Sequence, residues 1–423
     1  MLVRSLTPTA AAVVSFCGTC LSMTAFGAPP ASPDGLWTPI DALPAAVATA
    51  TPNARPVRGT FARLDLDAIR VALAKAPSED AVIARESPVV LSLLMPDGTY
   101  ESFAIVESPV MEPALAAKFP EIRTYVGQGL DRPESTVRLD TTVHGFHAQV
   151  LSTDGTVFID PASRGETTHY ASYWKRDFAK TAPAFECLTD EKSAVPAGNL
   201  AADGSVLNRA GSIRRTYRLT MSTTGEFTLA NGGTVATGLA AVVTLVNRIT
   251  GIYERDLSVR LSLVANNNLL IFTNPATDPF AAPTNGTQCH TENQARCDAV
   301  IGSANYDVGH VIHHSASPGG DGVAGSIGNV CIAGQKARGY SAFNPSVGDP
   351  FAIDYIAHEL GHQFGGRHTF NSCGGSQGDS STIATEPGSG VTIMAYAGIC
   401  GPTDDLQPNS DAMFHAGSFD LIT

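Results

Sequence analysis

The sequence predicts an α/β fold for its second half: a mixed twisted sheet with helices and a small C-terminal subdomain, preceded by a β-rich N-terminal domain. Three observations predict it. Residues 60–180 alternate short apolar runs with turn signals, the pattern of antiparallel hairpins. From Tyr217 the period changes, with strand-like residues at 217–222, a helical apolar face, and an alternating run at 259–264. Near the C-terminus, residues 358–368 place three histidines at offsets that converge only on a helix followed by a bend.

Taken in order, residues 1–27 have the build of a secretory signal: Arg4 is the positive charge, residues 10–26 are mostly apolar and small, and Ala25 lies three back from a cleavage after Gly27. Residues 28–60 are rich in Ala, Pro and Thr and predict a loosely ordered entry. Hairpins follow, for example 89–94 before Pro96-Asp97-Gly98, and 146–151 before Thr153-Asp154-Gly155. Polar, small residues at 188–211 predict an exposed linker, and Arg214-Arg215 is a dibasic cleavage candidate. The expected division is therefore 1–27, 28–211 and 212–423.

In the last unit, Leu239, Val242, Val243, Val246, Ile249 and Tyr253 form one helical face. A further strand is expected at 306–313, and a final helix from about Asp411. Asp349-Pro350 predicts an N-cap with proline in the first turn. Ile353, Ile356, Ala357, Leu360 and Phe364 then form the buried stripe of a helix that Gly365 ends and Gly366 loosens. No stretch after the signal is expected to span a bilayer.

That helix carries His358-Glu359-Leu360-Gly361-His362, and Gly365 and His368 complete the spacing H-E-x-x-H-x-x-G-x-x-H. Residues four apart share a helix face, so His358 and His362 can present two imidazole nitrogens to one ion. His368 supplies a third after the bend. Glu359, about 100° round the helix, reaches a water on the metal instead of the metal itself. Three neutral histidines leave zinc a fourth position, where a water's pKa falls to roughly 7. Glu359 is then the general base.

Downstream, Thr392-Ile393-Met394-Ala395-Tyr396 has a methionine in a tight turn, an apolar and polarizable floor for such a site. With these motifs on the page, the chain from Thr216 onward resembles the reprolysin-like (adamalysin-like) metzincins, in a form associated with secreted bacterial enzymes. The resemblance also rests on 215–219, 247–256, 301–307, 386–390 and 409–411. It implies zinc on His358, His362 and His368, Glu359 as catalytic base, Met394 as the Met-turn, and 322–328 as an edge strand that holds extended peptide substrates. Tyr396 departs from the animal adamalysins. In astacin- and serralysin-like branches a tyrosine at that offset approaches the zinc, so an oxyanion donor, a fifth ligand and a packing residue all stay open.

The stretches 107–111 and 145–148 resemble the propeptide of the same group, which implies a zymogen inhibited by its own N-terminal unit. Cys187 is the candidate thiolate to occupy the open zinc position, although Leu188 stands where family switches have glycine. Outside the signal the cysteines are Cys187, Cys289, Cys297, Cys331, Cys373 and Cys400. In an exported protein Cys289–Cys297 and Cys373–Cys400 are the expected pairs. Cys331 resembles a family cysteine whose partner follows the C-terminal helix, so it is expected free unless the chain is longer.

The net charge of −13 argues against nucleic acid as a partner. Asp404 and Asp405 are loop carboxylates open to calcium or to plain solvation. His144, His147, His310, His313, His314 and His415 have the wrong spacing for the main site and are expected on strands or at the surface. The expected function is a secreted zinc endopeptidase. A non-catalytic adhesion protein on the same fold, or a zinc amidase on non-protein amides, are the alternatives.

Overall fold

The computed structural model describes residues 31–53, 56–178, 185–190, 192, 213–344, 348, 351–374, 376–377 and 383–422. The signal, most of the 188–211 linker and the Asp349-Pro350 cap lie outside them.

The alternating first half folds as expected into hairpins. Its strands are β1 (Trp37–Ile40), β2 (Thr60–Leu64), β3 (Val90–Leu94), β4 (Tyr100–Glu107), β5 (Arg123–Gly129), β6 (Thr136–Thr142), β7 (Gly145–Ser152), β8 (Gly155–Pro161) and β9 (His169–Trp174). They form one antiparallel sheet ordered β1-β2-β9-β8-β7-β6-β5-β4-β3. The expected loose entry is corrected here: β1 is the edge of this sheet. Trp37 is fully buried and meets Phe146 and Tyr170 edge-on at 5.9 and 5.6 Å. One large apolar ring outweighed the proline-rich composition around it.

The second half gives β11 (Arg215–Thr223), β12 (Val259–Leu263), β13 (Val308–His314), β14 (Gly320–Ala324) and β15 (Gly339–Phe343). Together with β10 (Phe185–Cys187) they form a mixed sheet ordered β10-β14-β15-β13-β11-β12. Strands β12, β11, β13 and β15 run parallel, and β14 is antiparallel to β15. The expected edge strand is present but begins two residues earlier than 322 and ends at Ala324. The final helix is Ala416–Ile422, so the expected start near Asp411 is also corrected.

The helix Val235–Leu257 begins on a capping box at Thr234 and Thr237 and ends at Ser258 in the left-handed region. It is the one described helix long and apolar enough to cross a membrane by length and composition, which the sequence reading did not anticipate. Its apolarity matches its place between the two sheets, where it packs on both β6 and β12. The helix Gly286–Val300 went unread because its sequence is polar and nearly without an apolar stripe. Cys289 and Cys297 both lie on it, free and buried. Eight residues of helix separate them by about 12 Å, beyond disulfide reach, and the expected pair is overturned. Cys373–Cys400 is bonded, as expected, and Cys331, left open by the sequence, is free and exposed.

The N-terminal sheet is joined to the catalytic half by core and charge together. Val110, Met111, Leu115 and Ile122 enter the same apolar cluster as the long helix. Buried ion pairs cross the junction: Arg248 to Asp160, Lys175 to Asp354 at 2.6 Å, and Arg260 between Glu79 and Glu254, with Arg138 also on Glu254. Buried charges on one side are thus met by opposite charges on the other. Arg248→Met should destabilise the full chain by about 3–5 kcal/mol, because Asp160 is left buried without its cation. Denaturant unfolding checks this, and adding Asp160→Asn to the same variant should recover most of the loss.

Candidate metal centre

The helix that carries the motif is wound as a π-helix over Phe351–Ala357 and as an α-helix over His358–Gln363. Wide turns of this kind recur at functional sites. The Tyr253 hydroxyl donates to the Ala357 carbonyl at 2.9 Å, at the switch between the two. The helix then ends as its glycines predict. Gly366 N–H donates to the Gly361 carbonyl and Gly365 N–H to that of His362, a Schellman closure with Gly365 at φ 110°. This reversal returns His368 to the other two histidines.

The three Nε2 atoms lie 3.1–3.3 Å from one another. His358 Nδ1 donates to the Ile393 carbonyl at 2.6 Å and His362 Nδ1 to that of Gly366 at 2.8 Å. Carbonyls only accept, so these two rings carry their proton on Nδ1 and turn a bare Nε2 lone pair inward. Nitrogens about 2.0–2.1 Å from a tetrahedral ion stand about 3.3 Å apart, the spacing found. Cys187 Sγ is the fourth donor, 3.6 Å from His362 Nε2, where a tetrahedral sulfur at about 2.3 Å would sit about 3.5 Å from the nitrogen. These four are the group of described residues able to hold a metal ion, with all donor atoms within 4.8 Å. The donor set fits a divalent metal.

Glu359 lies beside this cluster and is buried. Thr189 Oγ1 donates to its Oε2 at 3.0 Å and accepts from Ala324 N–H at 2.8 Å. Burial first, and then the charge on Cys187, push the Glu359 carboxyl well above the usual range. Burial raises Cys187 as well, but the imidazoles gathered round it outweigh that and hold the thiol well below its ordinary value.

Met394 occupies the predicted floor. A Cβ at Gly361, between the two helix histidines, would stand 2.4 Å from Met394 Sδ, so the turn packs straight onto the motif. Tyr396 stacks on Phe370 at 4.2 Å and its ring lies 4.6 Å from that of His368. Its ring is part of the wall beside the third histidine.

Two residues that sequence reasoning gave no role brace the site. Glu386 accepts from Thr369 Oγ1, from the Thr392 hydroxyl and from the backbone N–H groups of Val391 and Thr392, tying the residue after His368 to the Met-turn. Gln363 donates to the Gly309 carbonyl and meets His310 Nδ1, pinning the helix to β13. Their signal was polar residues at positions the fold buries, which no spacing rule marks. The other candidate histidines stay outside the cluster: His310 also meets Ser341, His313 meets Thr224, and His147 meets Asp140.

Three imidazoles converging on one point with a buried carboxylate beside them are the donor set and base of a metallopeptidase. Residues 213–418 match the metallo-peptidase family M12B, reprolysin-like, and this part of the chain is a reprolysin-like metallopeptidase. The family implies a divalent metal and peptide or protein substrates. Among solved structures, metalloproteinase-II from Bacteroides fragilis aligns over 83% of this chain and 96% of its own, at 9% identity and a TM-score of 0.42. No curated protein matches the chain.

Gly361→Ala should cost about 1–3 kcal/mol through overpacking against Met394 and weaken metal retention. Thermal melting with and without added zinc checks it. Gly361→Ala combined with Met394→Ala should regain much of the loss, since the smaller floor clears the clash.

Proposed function

We propose that the chain is a secreted, zinc-dependent endopeptidase made as a zymogen, with 28–211 as propeptide and 212–423 as the catalytic unit. The observation that carries this reading is the fourth corner of the cluster. Cys187 comes from the N-terminal unit and stands where a substrate or water would have to enter. A tetrahedral site of three nitrogens and one sulfur favours zinc among divalent ions. The Cys373–Cys400 disulfide is in keeping with export to an oxidising compartment.

Bound zinc supplies Lewis acidity, which makes water nucleophilic near neutral pH and polarises a carbonyl. The protein's own part is then proton handling and alignment. Glu359 takes the proton lost by the attacking water and delivers it to the departing amine. The carbonyls of Ile393 and Gly366 keep two imidazoles fixed while charge changes beside them. β14 offers its edge to an extended peptide. In the uncleaved chain that edge is taken: β10 pairs with β14 in parallel, with Cys187 opposite Gly322.

Alternate residues of this segment, Phe185, Cys187 and Thr189, face the cleft, as the two-residue period of a strand requires. Cys187 blocks the metal and Thr189 occupies the base. Cys187→Ser in the unprocessed chain should raise peptidase activity at least tenfold. Thr189→Val should weaken docking of the segment by about 1.5–3 kcal/mol, the worth of a hydrogen bond to a charged group. A fluorogenic peptide assay on each full-length variant reads both, and unchanged activity in Cys187→Ser would remove the thiol latch.

The enzyme reading itself is tested by Glu359→Ala in processed protein, with metal content and protein cleavage measured together. The expected outcome is full zinc with cleavage reduced by about 10²–10⁴, the usual share of a general base. Bound zinc with no chelator-sensitive cleavage in the wild type would point to a binding protein instead.

A further inference from the structure

A cavity of about 390 Å³ lies between the N-terminal sheet and the long helix, and shares no lining residue with the metal centre. Packed protein leaves few voids larger than a water molecule, and this one has the size of a small-molecule site. Ala241 and Leu245 of the helix Val235–Leu257 form an apolar floor. The opposite wall comes from the N-terminal unit, with His144 in the turn before β7 and Arg164 in the loop after β8. Gly165 and Gly232 also line the cavity and are exposed, so it opens to solvent at their rim.

Arg164 gives this space its chemistry. Its backbone N–H is fixed on the Thr51 carbonyl at 2.8 Å, and its Nη1 donates to the Ala230 carbonyl at 2.5 Å, at the end of the helix Gly225–Ala230. Those bonds hold the guanidinium in place without neutralising it. Its Nε is buried with no hydrogen-bond partner. Burial lowers the pKa of Arg164, and no carboxylate offsets the loss. The neighbouring acids are already engaged. Asp160 lines the cavity but bonds Arg248 and the Tyr173 hydroxyl. Asp140 is taken by His147 at 2.9 Å and by Thr244 at 3.0 Å. Arg248 faces the same space with a second buried Nε that has no partner. An unneutralised cation in a half-enclosed, partly apolar space is costly unless an anion joins it, and the chain as a whole carries a net charge of −13.

We infer that this cavity is a binding site for a small organic carboxylate with a compact apolar body. The planar guanidinium of Arg164 matches a planar carboxylate better than it matches a tetrahedral dianion, which needs more donors than one arginine has free. The apolar body lies on Ala241 and Leu245. Arg164 belongs to the N-terminal unit and both floor residues to the catalytic unit, so the bound molecule spans the junction and clasps the two together. A ligand that binds only the joined state stabilises it by mass action. The site stands whether or not the catalytic unit is a peptidase.

The test uses the full, zinc-loaded chain with 3-phenylpropionate as probe. Calorimetry should show saturable binding at least about tenfold tighter than for the neutral 3-phenylpropionamide, the share of a charge-assisted hydrogen bond. Arg164→Met should remove that preference and leave binding of the amide unchanged. Ala241→Leu keeps the cation but fills the floor, and should weaken both probes together. The comparison of the two probes on the wild type needs no variant, so it decides the matter even if Arg164→Met fails to fold. Equal binding of acid and amide overturns the carboxylate site. Preferred binding of 3-phenylpropylamine or of inorganic phosphate, or no saturable binding at all, does the same. With 3-phenylpropionate bound, hydrogen exchange should slow in peptides from both sides of the junction, 143–147 and 163–166 on one and 230–237 on the other. Protection confined to one side overturns the clasp. Absence of peptide cleavage by the processed protein would refute the peptidase reading and leave these results standing.

Discussion

Everything at the centre depends on three nitrogen lone pairs aimed at one point. Without a cation, three acceptors 3.1–3.3 Å apart repel, and nothing between them can satisfy all three. The protein holds them there from behind, through backbone carbonyls that fix the tautomer of two rings. One of those carbonyls, Ile393, belongs to the Met-turn, and the other, Gly366, to the bend that returns His368. Helix, bend and turn therefore cannot shift independently. Glu386 closes the same loop from the other side by bonding Thr369 and Thr392 at once.

The N-terminal unit is fastened by a different kind of force. Its hydrophobic share of the common core is reinforced by buried ion pairs whose partners sit on opposite sides of the junction. Such pairs are poor sources of net stability, since desolvation offsets most of the attraction. They are strong discriminators, because either half alone would hold unpaired charge. This arrangement fits the N-terminal unit to the rest of the chain in one orientation.

Much of the centre was legible in the sequence, because helical geometry turns letter spacing into direction. His358, His362, Gly365 and His368 are readable for that reason, and Met394 by its offset. Cys187 was readable as chemistry, but not as position, since pairing of β10 with β14 is a contact more than 130 residues apart in the chain. The hairpins of the first half were legible from alternation. The helix Gly286–Val300 was not, because its buried face is built from Cys, His, Asn and Gln instead of an apolar stripe. Its hidden polarity also produced the wrong disulfide. Trp37 made a strand where composition suggested a loose tail, a case of one side chain outweighing its surroundings.

A single absent carbon ties recognition to chemistry in this cleft. At Gly322, a methyl group would stand 2.5 Å from the Phe185 ring and 2.6 Å from both the Cγ and an oxygen of Glu359. The bare backbone there gives room to the Phe185 ring on one side and to the Glu359 carboxylate on the other. Bulk added at 322 would therefore displace the Phe185 ring and the Glu359 carboxylate together.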